Sequence, residues 1–145
     1  MTILIKSTLR KQKPPVAGIR ASLRKLLSLT GQQNAEVSVL IVGDKAMRSL
    51  NRRYRGKDRT TDVLSFPLRE GRFTRIQPHI LGDIVLSLPA AARQAKAAGE
   101  PCHAEIGRLL VHGFLHLLGY DHERSRAEAR RMDGRERRLR KALQR

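Results

Sequence analysis

Residues 103–122 read HAEIGRLLVHGFLHLLGYDH, and the organisation of the chain turns on them. Ile106, Leu109, Leu110, Val111, Leu115, Leu117 and Leu118 cover most of the circumference of a helix predicted over His103–Leu118. A helix that is apolar nearly all round belongs inside a core. Gly119 ends it. His112 and His116 are set into this apolar helix four residues apart, so they share one face, one turn from each other. Gly119 lets the chain turn away from the helix axis, and His122 follows three residues later, placed to swing back as a third nitrogen donor. Unpaired imidazoles among leucines are costly, and a shared metal ion removes that cost. Three nitrogen donors with an open fourth position describe a catalytic zinc site and not a closed structural one. His79 and His103 lie outside the pattern and are read as surface residues.

Working outward from this helix, short β-branched or apolar runs predict strands at residues 2–6, 36–42, 63–66 and 81–88. Pro67 is expected to stop the third of these. Ile19, Leu23, Leu26 and Leu27 recur at helical spacing within Val16–Leu29, with Gly31 just past the end. Asp44 is placed to cap a helix running to about Arg52. Tyr54–Thr61 reads as a basic loop, and residues 69–79 as an exposed one. Pro89 suits the first turn of a helix reaching Ala98. A charged helix from Arg124 to about Leu143 carries Met132, Leu139 and Leu143 as a narrow inward stripe. The order predicts one α+β domain over residues 1–145, with helices packed on a small mixed sheet of about four strands and the metal-binding helix in the core.

At 145 residues the chain is long enough to bury a core without disulfides. Its one cysteine, Cys102, is read as an incidental packed thiol, and a lone thiol suits a reducing cytoplasm. No apolar run approaches the ~20 residues of a membrane helix, and Ile3-Leu4-Ile5 is too short for a signal-peptide core. The formal net charge is +17, from thirty Lys and Arg against thirteen Asp and Glu. That imbalance favours a polyanionic partner, RNA, DNA or a ribonucleoprotein surface. Residues 1–30, 45–75 and 123–145 hold twenty-seven of the thirty basic groups, so the basic surface comes from three separate segments. Aromatics are 3 % of the chain, which argues against an aromatic stacking platform for bases.

The histidine spacing is also that of zinc endopeptidases with H-E-x-x-H-x-x-G-x-x-H. In those enzymes the Glu after the first His is the general base. Here that position is Gly113, which cannot take a proton. The metal ligands are kept and the peptidase base is missing.

Taken with three further blocks, HGFLHLLGYDH resembles the YbeY endoribonuclease family of bacterial rRNA maturation factors. The blocks are LNRRYRGKDRTTDVLSFP (Leu50–Pro67), LGDIVLS (Leu81–Ser87), and Met132 with Glu136 on the last helix. The family often has proline where this chain has Thr60. The resemblance implies a single α+β domain and one zinc on His112, His116 and His122. It also implies metal-dependent cleavage of single-stranded RNA in 16S rRNA 3′-end maturation on the small ribosomal subunit and in ribosome quality control. Arg55 in YRGKD matches the family's functional arginine, and its planar fork suits two phosphate oxygens. Zinc would lower the pKa of bound water toward ~7, so no carboxylate base is required.

Lys57 and Arg59 are read as guides for the RNA backbone. Asp83 is read either as orienting a ligand imidazole or as a turn or cap residue, Asp121 as capping the turn before His122, and Tyr120 as core packing in preference to a substrate contact. Two other function classes stay open at this point. One is a non-catalytic ribosome assembly factor with a structural zinc. The other, disfavoured by Gly113, is a metallopeptidase.

Overall fold

A computed structural model describes residues 1–68 and 79–144. Apart from His79, the loop expected over 69–79 lies outside the described residues. The elements run β1 (Thr2–Ser7), α1 (Val16–Leu29), β2 (Glu36–Val42), α2 (Asp44–Arg55), β3 (Val63–Pro67), β4 (Ile80–Ser87), α3 (Leu88–Ala98), α4 (Cys102–Leu117) and α5 (Arg126–Leu143). The four strands form one mixed sheet in the order β1-β2-β4-β3. β1, β2 and β4 are parallel, and β3 runs antiparallel to β4 along one edge. The architecture is the α+β domain that the sequence predicts.

Strand alternation sorts the side chains between two faces. On one face Val37, Val39 and Ile41 of β2 and Ile84 and Leu86 of β4 meet α1, α4 and α5 in the main core. Leu23, Leu26 and Leu27 of α1 are fully buried there, each contributing about 1.5–3 kcal/mol in area terms. On the other face Leu64 and Val85 join Val42 and Met47 under α2. α4 lies against the sheet and is flanked by α1, α3 and α5, which matches its all-round apolarity: Leu109, Leu110, Val111, Phe114 and Leu115 are all buried. No helix among the described residues is long and apolar enough to cross a membrane.

Several details differ from the sequence reading. α2 does not stop near Arg52 but runs to Arg55, so Tyr54 and Arg55 sit on its last turn instead of in a loop. Asp44 is the first helical residue and not the cap. Gly43 takes the cap position without a side-chain bond, and Asp44 instead pairs with Arg93 at 2.7 Å. The last helix starts at Arg126, after Ser125 accepts a hydrogen bond from the Glu128 N–H at 3.1 Å. Cys102 opens α4 and is exposed, not packed. Pro67 does end β3, but as its last paired residue and not as the residue after it. The Leu68 N–H donates to the Leu81 carbonyl and the Ser87 N–H to the Asp62 carbonyl, both at 2.9 Å. By antiparallel alternation those bonds put the nitrogen of Pro67 on the outer edge, where no ladder bond is lost.

Candidate metal centre

His112 and His116 stand one turn apart on α4, and their Nε2 atoms are 3.2 Å from each other. Gly119 follows the helix at φ 97°, a conformation that favours glycine. The chain turns there and returns His122 to the pair. One nitrogen from each of the three rings lies within 4.8 Å of the others. The Asp121 carboxylate accepts the Glu123 N–H at 2.9 Å and pairs with Arg124 at 3.3 Å, which braces the turn that carries His122.

The donor set fits a zinc ion. Two nitrogens bonded to a tetrahedral zinc at ~2.0–2.1 Å stand about 3.3 Å apart, close to the His112–His116 spacing. Glu136 of α5 lies 2.6 Å from Nδ1 of His112. That bond places the proton on Nδ1 and leaves the Nε2 lone pair facing the other two histidines. Burial, and then the neighbouring His112 and His122, push the His116 imidazole below its ordinary pKa. That direction favours the neutral form that a metal requires. Burial opposes ionisation of Glu136, but the hydrogen bond and charge of His112, together with Arg108 and Arg140, bring its carboxyl below the usual range.

The triad opens into a cleft of about 510 Å³ between the outer edge of β3, the end of α2 and the end of α4. Arg55 lines the same cleft and is 46 % exposed, its guanidinium 3.8 Å from Glu123. The sequence had these groups more than fifty residues apart, and the fold brings them to one opening. Lys57 also lines the cleft, whereas Arg59 is exposed outside its lining. Tyr120 packs against the core, as expected, and also contributes to the cleft wall. His79 and His103 are exposed and apart from the triad. A larger groove, about 630 Å³, lies at the other end of α4 beside Gly18 and Gly107. Its lining holds one histidine and no converging donors, so the chemistry points to the smaller cleft.

Asp83 does not orient an imidazole. It is exposed on the open face of β4 and accepts a hydrogen bond from Ser38. Glu136 fills the role that Asp83 was a candidate for, and a carboxylate on the predicted inward side of the last helix was the available signal. The sequence reading also missed Arg108, on α4. Arg108 donates to buried Glu105 at 2.8 Å and lies 3.8 Å from Asp62 at the start of β3. Glu105 with Arg108 at i, i+3 amid apolar neighbours was its only trace.

Gly113 is buried where α4 crosses the sheet. A Cβ there would stand 3.1 Å from Ser65 Oγ and 3.2 Å from Ile84 Cγ2. The position that carries the general base in the peptidase motif therefore faces packed strands, with no room for a carboxylate.

The whole chain has relatives of the same kind. The sequence model for "Endoribonuclease YbeY" matches residues 6–144. Endoribonuclease YbeY of Geobacter metallireducens is 41 % identical over 146 residues, spanning 100 % of this chain and 97 % of the relative. That of Persephonella marina is 45 % identical over 130 residues, spanning 90 % and 84 %. The solution structure of TM1509 from Thermotoga maritima superposes with a TM-score of 0.69 at 25 % identity, covering 98 % of this chain and 89 % of that one. With a family match over nearly its full length and relatives above 40 % identity, the chain belongs to the YbeY endoribonuclease family.

Proposed function

We propose that this protein is a zinc-dependent endoribonuclease that cuts single-stranded RNA during maturation of small-subunit ribosomal RNA. Ribosome quality control and 16S rRNA 3′-end processing are the cellular roles that the family resemblance implies. The observation that carries the reading is the shared cleft: three converging imidazoles and an exposed arginine line one opening.

His112, His116 and His122 would hold the metal. When bound, zinc supplies Lewis acidity toward a phosphoryl oxygen and activates water near neutral pH. The protein's own groups do the rest. Glu136 fixes the His112 ring and its tautomer. The Arg55 guanidinium stands at the cleft, 3.8 Å from Glu123, where its fork can take two phosphate oxygens. A phosphodiester gains charge as its bond breaks, and a fixed cation beside it stabilises that charge without reorganising. Lys57 adds positive charge on the approach. Hydrolysis of peptides is disfavoured because the only position for the peptidase base is packed against Ser65 and Ile84.

The deciding experiment loads the full chain with zinc and offers it single-stranded RNA, beside His112→Ala and Arg55→Ala. Wild type should cleave. Arg55→Ala should keep zinc and fold, bind RNA nearly normally, and cut ~100-fold more slowly or worse. Arg55→Lys should rescue poorly, because an ammonium offers no fork. His112→Ala should lose zinc and activity together. An Arg55→Ala protein that cuts at the wild-type rate removes Arg55 from the chemistry. A zinc-loaded wild type that binds RNA but leaves it intact favours the assembly-factor reading.

A further inference from the structure

The chain has only five Phe and Tyr residues and no Trp, yet Tyr54, Phe66 and Tyr120 all line the cleft that holds the histidines. Tyr120 is explained by its packing against the core. Tyr54 is not. It stands on the last turn of α2 and is 57 % exposed. Phe66 of β3 meets its ring at 5.2 Å between centroids, with the planes 71° apart. Phe66 is itself seated on the buried cluster of Val42, Met47, Leu64 and Val85. An anchored ring therefore orients an exposed one, in a geometry that aromatic pairs favour. The Arg53 guanidinium carbon lies 5.5 Å from the Tyr54 centroid, and Arg55 and Lys57 line the cleft beside it. A flat ring flanked by cations is the combination that a single nucleic-acid strand uses: a π-face for a base and positive charge for its phosphates.

We propose that Tyr54, oriented by Phe66, is a stacking subsite for one unpaired nucleobase of the RNA strand in the cleft. This rests on the endoribonuclease reading above. In a duplex both faces of a base are covered by its neighbours, so the subsite takes a base only from a single strand. Stacking tolerates every base because each has a π-face, so the subsite selects strandedness and not sequence. A low aromatic content argues against an extended platform and leaves room for a single ring. Composition counts rings, and a cleft needs one ring in the right place.

Because the chain has no tryptophan, Tyr54→Trp puts a lone indole fluorophore at the subsite. The probes are a short single-stranded oligoadenylate, the same strand in a duplex, and an abasic oligomer with the same ribose-phosphate backbone. Oligoadenylate should quench the fluorescence, and the other two should not. Tyr54→Ala should bind oligoadenylate about 5- to 150-fold more weakly and bind the abasic oligomer as wild type does. Tyr54→Phe keeps the ring and should restore oligoadenylate binding. Equal quenching by the abasic or duplex probe, or wild-type affinity in Tyr54→Ala, overturns the subsite. Cleavage by zinc-loaded wild type is measured in parallel. A protein that cleaves without stacking sinks the subsite alone, and one that stacks without cleaving sinks the nuclease reading alone.

Discussion

Glu136 Oε1 and His112 Nδ1 are 2.6 Å apart, across two helices and 24 residues of sequence. The contact ties the last helix to the candidate metal centre, so α5 reaches the histidine cluster as well as the core. Removing the carboxylate should free the His112 ring and loosen its tautomer. Glu136→Ala is expected to weaken zinc binding by about 10- to 100-fold, and Glu136→Gln by less, because its amide oxygen still accepts the Nδ1 proton. Competition against a chromophoric chelator reads this directly. Unchanged zinc affinity in Glu136→Ala would show that the contact orients nothing.

Zinc itself should be stoichiometric and should depend on each imidazole. His122 is the test case, being exposed and on a turn, whereas His112 and His116 are partly buried on a helix. If it is a ligand, His122→Ala should lose tight binding while the apo fold survives, since no core contact goes with it. Metal analysis at full occupancy in that variant would leave the site with two ligands and the reading without support.

RNA binding should weaken steeply with salt, linearly on log–log axes, at about −0.7 per phosphate contacted for a single strand. Lys57→Ala, in the cleft lining, should lower that slope by about one phosphate. Arg137→Ala should not, because Arg137 is exposed on α5 and already sits 3.4 Å from Asp133. A slope that changes equally for both would mean that the strand is held by the basic surface at large and not by the cleft.

The Asp44–Arg93 pair predicts a pH effect on stability. Hydrogen bonds from Arg93 at 2.7 and 2.9 Å hold the Asp44 carboxyl below its ordinary range, against a smaller opposing effect of burial. A lowered folded-state value means that the pair stabilises the fold fully above the unfolded-state value near ~4. That stabilisation fades as pH falls through the lower folded-state value. Arg93→Ala should therefore be slightly less stable than wild type near neutral pH, and the gap should close in acid. Both groups are largely exposed, so salt should narrow it too. Urea titrations giving a constant gap down to full protonation would rule the mechanism out.

Element types and the convergence of three imidazoles were readable from sequence because both are local signals. Helical and strand periods run over consecutive residues, and His112, His116 and His122 fall within one turn-and-a-loop. The end of α2 was missed because the basic run at Tyr54 was read as loop although Gly56 is the first stop signal, and the start of α5 because the cap bond at Ser125 was not read. The supporting shell was the least legible part. Glu136 reaches His112 from a different helix, and Arg108 reaches Asp62 across 46 residues, so no window of sequence contains either pair. Gly113 shows the converse. Sequence read it as an absent base, and only the fold gives its positive reason, the close approach of α4 to β3 and β4.

That reason separates two glycines on the same helix. At Gly113 an added methyl meets Ser65 Oγ at 3.1 Å, Ile84 Cγ2 at 3.2 Å and Val63 Cγ2 at 3.4 Å. Two of those neighbours are β-branched strand residues with little rotamer freedom, and the third donates to the Gly113 carbonyl at 3.2 Å. At Gly107 an added methyl meets nothing within 4 Å among the described residues. Helix propensity favours alanine by about 1 kcal/mol at either position. Overpacking costs ~1–3 kcal/mol at Gly113 and has no counterpart at Gly107. Gly107→Ala should therefore stabilise the protein, by up to ~1 kcal/mol. Gly113→Ala should be neutral to destabilising, by up to ~2 kcal/mol net. Gly113→Glu should not fold stably, and so cannot convert the site to a peptidase. Denaturant unfolding of the three variants beside wild type decides the matter. A Gly113→Ala protein stabilised as much as Gly107→Ala would mean that the sheet gives way to the methyl, and that the tight crossing of α4 over Ser65 and Ile84 is not what keeps glycine at that position.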